Sequence, residues 1–198
     1  VSLGFTEGFY NRPRVDMELL REHHEGLIAL SACLGGKIPK QLAKGNYKGA
    51  KETALRYAEI FGSEHFYIEI QDHGLAEQRT MLPMLVDLAK DCDLPLVATN
   101  DCHYLRRRDA NAQAVLMCIQ TNTTTDMGRP AAFATDEFYL KDTNEMTMTF
   151  KAYPEALENT CRIAERCEVS FDFDTTYLPK FPCPDGKSAQ AFLRERTE

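Results

Sequence analysis

The chain has 198 residues, 43% hydrophobic and 27% charged, with a net charge of −7 at neutral pH. This composition is ordinary for a soluble globular protein and suffices for one good core, or for one domain and part of another. An acidic chain has no global basic field that would attract nucleic acid, although a large assembly can place its basic groove elsewhere. No apolar run approaches the roughly 20 residues of a membrane span, so no membrane partner is expected.

Apolar periodicity predicts helices and strands in alternation over residues 17–120. We predict helices at 17–24, 38–44, 47–61, 76–91 and 109–120, and strands at 26–33, 66–71 and 96–99. Pro83 is expected to break or kink its helix. Repeated βα units predict a parallel sheet or a barrel.

The later residues predict a different organisation. Residues 121–135 are rich in Thr, Gly and Pro without apolar periodicity, which predicts a long loop, functional or mobile. A short extended piece at 137–141 precedes helices from Thr143 and Pro154. Residues 171–184 are typical of a linker between domains, and another helix begins near Ser188. The chain lacks an initiator Met and ends within a helical pattern, so we expect a segment of a longer protein. Its seven cysteines, without a C-x-x-C pair, predict reduced thiols in a cytoplasmic protein.

A polar cluster follows the predicted strand at 96–99. Asn100, Asp101 and His103 come where parallel strands of α/β proteins end and commonly hold ligands. If the strand persists, Asp101 and His103 point the same way, and a carboxylate beside an imidazole suits zinc, manganese or iron. The alternative is that Asp101 caps the following helix and His103 lies on the surface.

The other two predicted strands also end in candidate groups. Cys33 closes the first strand, either as a thiolate ligand or as a small buried hydrophobe. Glu69, Asp72 and His73 surround the end of the second strand. If the strands are parallel neighbours, all these groups meet at one rim, where bound metal ions would generate hydroxide for phosphoester hydrolysis. For Glu69 and His73, a hydrogen-bonded role behind the ligands is at least as reasonable as ligation, and Asp72 and Asn100 join them as possible supporting residues.

Other polar residues leave their roles open or suggest ordinary ones. The run Arg106 to Arg108 is either a solvated helix start or a phosphate contact. His23 and His24 suit a helix C-terminus, and His65 a surface loop. The chain lacks a nucleotide-binding P-loop, a dinucleotide-binding glycine motif and a serine-hydrolase elbow.

Five separated motifs carry a family resemblance. They are Leu-Gly-Phe-Thr-Glu-Gly-Phe-Tyr-Asn-Arg-Pro-Arg-Val-Asp from Leu3, Leu-Ser-Ala-Cys-Leu-Gly from Leu30, Ile-Gln-Asp-His-Gly from Ile70, Val-Ala-Thr-Asn-Asp-Cys-His-Tyr from Val97 and Leu-Pro-Lys-Phe-Pro-Cys-Pro-Asp-Gly from Leu178. In kind and order they resemble the alpha subunits of the bacterial C-family replicative DNA polymerases.

The resemblance implies a fold and a set of metal ligands. Residues 1 to about 150 would be the later part of a PHP (polymerase and histidinol phosphatase) domain, and residues 151–198 a linker and the start of the polymerase core. The implied fold is α/β, an incomplete PHP-type distorted (β/α)7 barrel with an α-helical C-terminal extension. In PHP domains that retain their metals, the ligand positions fall on Cys33, Asp101 and His103. The remaining ligands, including an H-x-H pair, belong to an upstream segment.

The resemblance also implies a function for the intact protein. It would be a DNA-directed DNA polymerase whose PHP domain is a metal-dependent 3′→5′ proofreading exonuclease, with Zn or Mn in the PHP site and Mg in the downstream core. DNA primer-template and replisome subunits such as the sliding clamp would be its partners. The present chain by itself is expected to be inactive. A degenerate PHP scaffold is the alternative, and a stand-alone PHP phosphoesterase is disfavoured because a Pro-rich linker leads onward from residue 171.

Overall fold

A computed structural model describes residues 1–124, 134–179 and 181–198. The described helices are α1 Ser2–Thr6, α2 Met17–Glu22, α3 Lys37–Ala43, α4 Tyr47–Phe61, α5 Ala76–Cys92, α6 Ala110–Thr121, α7 Thr143–Thr149, α8 Pro154–Arg166 and α9 Ala189–Thr197. The strands are β1 Ala29–Leu30, β2 Phe66–Ile70 and β3 Leu96–Ala98, with 3₁₀ turns at Arg107–Asp109 and Pro184–Gly186. Most of the predicted loop at 121–135 lies outside the described residues.

The three strands form one parallel sheet in the order β1-β2-β3. Ala29 pairs with Phe66, and Ile70 pairs with Ala98. Helices α3 and α4 connect β1 to β2, and α5 connects β2 to β3. The predicted alternation of strands and helices with a parallel sheet is therefore confirmed for the described residues.

The first strand is much shorter than the predicted run at 26–33. Gly26 and Ala32 have φ angles of 73° and 65°, in the left-handed region. A strand requires negative φ, so extended backbone can run only between these two residues, and within that interval Ala29–Leu30 is the part that pairs with β2. Cys33 consequently lies three residues beyond the strand, after the turn at Ala32.

Side-chain caps and a glycine mark the helix ends, and His23 lies at a helix C-terminus as predicted. The Asp16 carboxylate accepts a hydrogen bond from the Leu19 amide at 2.9 Å and caps α2, and His23 follows that helix as its C-cap. Gly62, with φ 89°, ends α4. Helix α5 runs through Pro83 without a break, so of the two predicted outcomes the break is wrong. Pro83 is exposed, so the carbonyl of Arg79 that loses its partner can be solvated.

The hydrophobic core of residues Val1–Arg166 packs around β2. Phe66, Ile68 and Ile70 are at most 1% exposed, and α3, α4, α5 and α8 supply the residues that cover the sheet. Burying a large apolar side chain contributes about 1.5–3 kcal/mol, so these side chains dominate the stability of the sheet. The Asn159 amide of α8 donates to the Leu96 carbonyl at 2.7 Å, which ties that helix to β3.

The chain divides into two compact units, Val1–Arg166 and Cys167–Glu198. In the second unit the Ser188 hydroxyl caps α9, and Lys187 pairs with Glu195 at 2.7 Å. The predicted domain boundary near residue 150 stays a prediction. No helix in the described part of the chain combines the length and the apolar character that crossing a membrane requires.

Candidate functional site

Polar side chains connect the ends of the three strands. Because the strands are parallel, Ser31, Gln71 and Thr99 follow them at one edge of the sheet. The Glu69 amide donates to the Ser31 hydroxyl at 2.9 Å. The Glu69 carboxylate accepts from the Gln71 amide at 3.1 Å and from the Thr99 hydroxyl. Glu69 thus joins β1, β2 and β3 at their carboxyl ends.

A small cavity of about 20 Å³ adjoins this cluster. Cys33, Glu69 and Gln71 contribute to its lining together with apolar side chains of α5. The side-chain oxygen Oε1 of Gln71 is buried and has no hydrogen-bond partner in the described part of the chain. A cavity above about 10–15 Å³ with polar partners can hold one water molecule, so this space suits an ordered water.

Cys33 lies on the turn between β1 and α3. Its carbonyl accepts from the Gly36 amide at 2.7 Å, and the residue is exposed. The alternative of a small buried hydrophobe is therefore wrong. An exposed thiol on this edge can react and can coordinate once deprotonated.

Asp101 and His103 lie on the loop after β3 and contact each other. The strand ends at Ala98 and Asp101 has φ 44°, so the strand alternation does not reach these residues. His103 Nδ1 lies 2.8 Å from the Asp101 carbonyl oxygen and 4.0 Å from its carboxylate Oδ1. The Asp101 side chain is 42% exposed and the His103 side chain 34%, so solutes can reach both. The next helical residue is Arg107, which leaves Asp101 too early to act as a helix cap.

The described residues provide only part of a metal site. Asp101 and His103 form a pair of donors, but no three His, Cys, Asp or Glu side chains among residues 1–124, 134–179 and 181–198 are grouped to hold an ion. Cys33 therefore does not complete the pair here. A zinc site requires about three or four protein ligands, so the residues present do not fit a complete metal centre by themselves.

His73 is a fully buried histidine that supports this loop. Its Nε2 lies 2.7 Å from the Asn100 carbonyl oxygen, and Nδ1 lies 2.8 Å from the Gln78 amide nitrogen. Since Gln78 donates to Nδ1, the proton resides on Nε2 and is donated to Asn100. Burial lowers the pKa of His73, and the nearby Lys141 cation lowers it further. The neutral ring, stacked on Phe138 at 4.0 Å, has both nitrogens engaged and is not placed to bind metal.

Asp72 shapes the turn after β2. Its Oδ1 accepts from the Gly74 amide at 2.8 Å and lies 3.7 Å from Arg79 Nε. Gly74 has φ 77°, a conformation that favours glycine. Asp72 thus stabilises the segment that carries His73.

Residues 137–141 pack along the loop after β3, a contact that sequence reasoning missed. Tyr139 pairs with Tyr104 in a parallel bridge, and the His103 amide donates to the Phe138 carbonyl at 2.8 Å. Asn100 Nδ2 donates to the Tyr139 carbonyl, and Asn100 Oδ1 accepts from Lys141 Nζ at 3.0 Å. The predicted extended piece is confirmed, and it acts as a support for the Asn100–His103 loop.

Arg107 also contacts this segment. Its guanidinium contacts the Glu137 carboxylate, Asp136 at 3.2 Å and the Tyr139 hydroxyl at 3.0 Å. The hydrogen bond with Glu137 raises the pKa of Arg107 above its ordinary value. Arg107 is therefore engaged within the protein, while Arg106 and Arg108 are exposed, where phosphate contact stays an open alternative.

Comparisons with known proteins show which proteins share this sequence. The PHP domain family model matches residues 1–73. DNA polymerase III subunit alpha of Treponema pallidum is 44% identical over 194 residues, which are 98% of this chain and 17% of that protein. The chain is a homologue of a segment of DNA polymerase III subunit alpha. The corresponding subunits of Deinococcus radiodurans and Thermus aquaticus are 41% and 42% identical over 99% of the chain, which spans 15% and 16% of their lengths.

The homology to DNA polymerase III subunit alpha confirms the family resemblance found in the five motifs. The matched PHP segment contains Cys33 and ends at His73. Asp101 and His103 lie beyond it, within the stretch that aligns with the polymerase subunits. The donor pair and its supporting histidine thus belong to a region shared with the alpha subunits.

Proposed function

We propose that this chain is part of a replicative DNA polymerase III alpha subunit, a DNA-directed DNA polymerase. Residues 1 to about 150 would form the later part of its PHP domain, and residues 151–198 a linker and the start of the polymerase core. Three consecutive parallel strands, adjacent in chain order, support the finer proposal of a distorted (β/α)7 barrel. The alignment over 98% of the chain supports the polymerase assignment.

The PHP domain of the intact protein would be a metal-dependent 3′→5′ proofreading exonuclease. The observation that carries this proposal is the Asp101–His103 pair on the loop after β3, at the edge where the parallel strands end. Cys33, Asp101 and His103 would be ligands of Zn or Mn, completed by groups outside this chain. A metal bound there would supply hydroxide at neutral pH for phosphodiester hydrolysis. Glu69, His73 and Asn100 would fix the three strand ends and the loop.

The proposed assignment has consequences for cofactors and partners. Polymerisation would use Mg bound by the part of the polymerase core that follows the segment described here. DNA primer-template and replisome subunits such as the sliding clamp would be partners, in the cytoplasm. These follow from the proposed role of the whole protein.

A degenerate PHP scaffold is the second candidate. The described residues lack a three-donor group, and Glu69 and His73 are already engaged in internal hydrogen bonds. In that case the domain would support the fold of the polymerase without binding metal. A stand-alone PHP phosphoesterase has less support, since the relatives named above are all polymerase subunits.

The test uses the full-length protein that carries this sequence. Cys33→Ser, Asp101→Asn and His103→Ala are each compared with the parent for bound metal, mismatch excision and primer extension. Loss of one ligand should reduce metal affinity or excision about 10–100-fold, with primer extension largely retained. His65→Ala, in the turn before β2 and at the opposite end of that strand, is the control. Unchanged metal content and excision in His103→Ala would favour the scaffold.

A further inference from the structure

Lys141 is an almost buried lysine beside the candidate site. Only 4% of its side chain is exposed, which is rare for lysine unless the ammonium is paired. Nζ contacts the Asn100 side-chain oxygen at 3.0 Å, the Glu137 carbonyl, and the Glu137 carboxylate at 3.3 Å. It also lies 4.5 Å from the centre of the Tyr139 ring. An ammonium has three N–H donors, and three oxygen acceptors surround this one.

Asn100 receives contacts from two distant parts of the chain. Lys141 donates to the side-chain oxygen of Asn100. The side-chain amide of Asn100 donates to the Tyr139 carbonyl, and the backbone oxygen of Asn100 accepts from His73 at 2.7 Å. The adjacent Asp101 has φ 44°, a conformation that residues other than glycine keep only when their surroundings hold it. The contacts of Asn100 fix the residue immediately before Asp101, and the ring of His103 contacts the Asp101 carbonyl oxygen itself.

We propose that Lys141 is a positioning residue that, through Asn100, holds the loop in the conformation in which Asp101 and His103 contact each other. The inference rests on the proposed function, because the purpose of this positioning is the metal-binding role of the pair. A methionine of similar length would donate no hydrogen bond, so the Asn100 side-chain oxygen and the Glu137 carbonyl would lose their bonds to Lys141. The loop would then sample other conformations and present the two donors separately.

The experiment compares Lys141→Met, Asn100→Ala and the double variant in the full-length protein. Amide hydrogen exchange of peptides covering residues 99–104, measured without metal, reports the conformation of the loop. Zn²⁺ affinity, measured by competition with a chelator, reports the pair. Lys151→Met, on the exposed turn after α7, is the matched control. Lys141→Arg, which keeps a cation with several donors, tests rescue.

Lys141→Met is expected to accelerate exchange at residues 99–104 and to weaken Zn²⁺ binding about 10–100-fold, while exchange in α3 and α4 stays unchanged. Asn100→Ala should have a similar effect, and the double variant should bind hardly more weakly than either, because both residues act through one contact. Lys141→Arg should recover part of the affinity. A purely structural role would instead accelerate exchange throughout Val1–Arg166.

Three results would overturn the proposal: unchanged exchange at residues 99–104 in Lys141→Met, acceleration throughout the unit, or fully additive effects in the double variant. The proposed function is tested separately by Asp101→Asn. If the parent and Asp101→Asn bind Zn²⁺ equally, the metal site is wrong. The metal-free exchange measurement then still decides whether Lys141 fixes the loop.

Discussion

The imidazole of His73 donates its Nε2 proton to the backbone oxygen of Asn100 at 2.7 Å. This bond joins the turn after β2 to the loop after β3. These two segments carry most of the candidate site residues of the chain. Gln78 fixes the tautomer through Nδ1, and the ring has no exposed surface. The conformation of the loop after β3 is therefore stabilised by His73 in its neutral form.

We expect the stability of this region to fall as the pH falls below about 6.5, the ordinary pKa of histidine. Burial lowers the pKa of His73 in the folded state, so the unfolded state binds the proton first. Stability is fully present above the unfolded-state pKa and is lost as the pH falls toward the folded-state value. Amide exchange of peptides covering residues 70–104, measured in the full-length protein between about pH 8 and about pH 5, reports the change after correction for intrinsic exchange.

The variant His73→Phe separates titration from packing. Phenylalanine keeps a ring against Phe138 but cannot titrate, so the part of the pH dependence due to His73 should disappear while the region becomes less stable at every pH. His65→Phe is the control and should keep the parent profile. An identical pH profile in His73→Phe and the parent would show that His73 does not cause the effect.

The sequence was most informative where the physical signal is local. Helix α4 matches its prediction at both ends, because Asn46 and Gly62 mark its boundaries through their own backbone and side-chain preferences. Likewise, the alternation of strands and helices is enough to predict the parallel sheet. The polar residues after the predicted strand at 96–99 indicated Asp101 and His103 as candidate ligands, and the family resemblance implied the same two positions.

The support around the site could not be predicted from local patterns. Glu137, Tyr139 and Lys141 alternate along the chain, which is equally typical of a strand with a solvated polar face. Their partners Asn100 and Arg107 lie about thirty to forty residues earlier, and only the tertiary fold brings them together. The left-handed Asp101 was missed because aspartate adopts that conformation only where the surroundings impose it.

Arg107→Ala is expected to loosen residues 134–141 and to cost no more than about 1 kcal/mol, since Arg107 is half exposed and solvent screens its ion pairs. The substitution leaves the carboxylates of Asp136 and Glu137 together without their shared cation. Local amide exchange in the full-length protein gives the cost. Arg108→Ala, which removes a 74% exposed side chain, should change stability by less than about 0.5 kcal/mol. Equal effects of the two substitutions would contradict the role of Arg107 described here.

Residues 1–198 produced by themselves are expected to bind transition metals weakly and to lack exonuclease activity. Asp101 and His103 provide two donors and Cys33 at most a third, whereas a catalytic cluster needs about three protein ligands for each zinc. Metal content after dialysis and degradation of a labelled primer strand are the measurements, with the full-length protein as the positive comparison. Robust 3′→5′ degradation by residues 1–198, abolished by Asp101→Asn, would show that the donors present are sufficient.

The outer edge of β1 predicts how residues 1–198 behave in isolation. In the described part of the chain β1 pairs only with β2. Leu30 in this strand is 37% exposed, and Leu27, two residues before the strand, is 48% exposed. An unpaired edge beside apolar side chains is a template for pairing with another chain.

We expect residues 1–198 alone to be partly folded or to aggregate with increasing concentration, as measured by light scattering and thermal unfolding. Leu27→Lys should reduce association because a charge beside a strand edge discourages pairing, whereas Lys48→Met, at an exposed position of α4 away from this edge, should not. A monodisperse monomer with one sharp thermal transition would count against the prediction, and would indicate that the three-stranded sheet is self-sufficient.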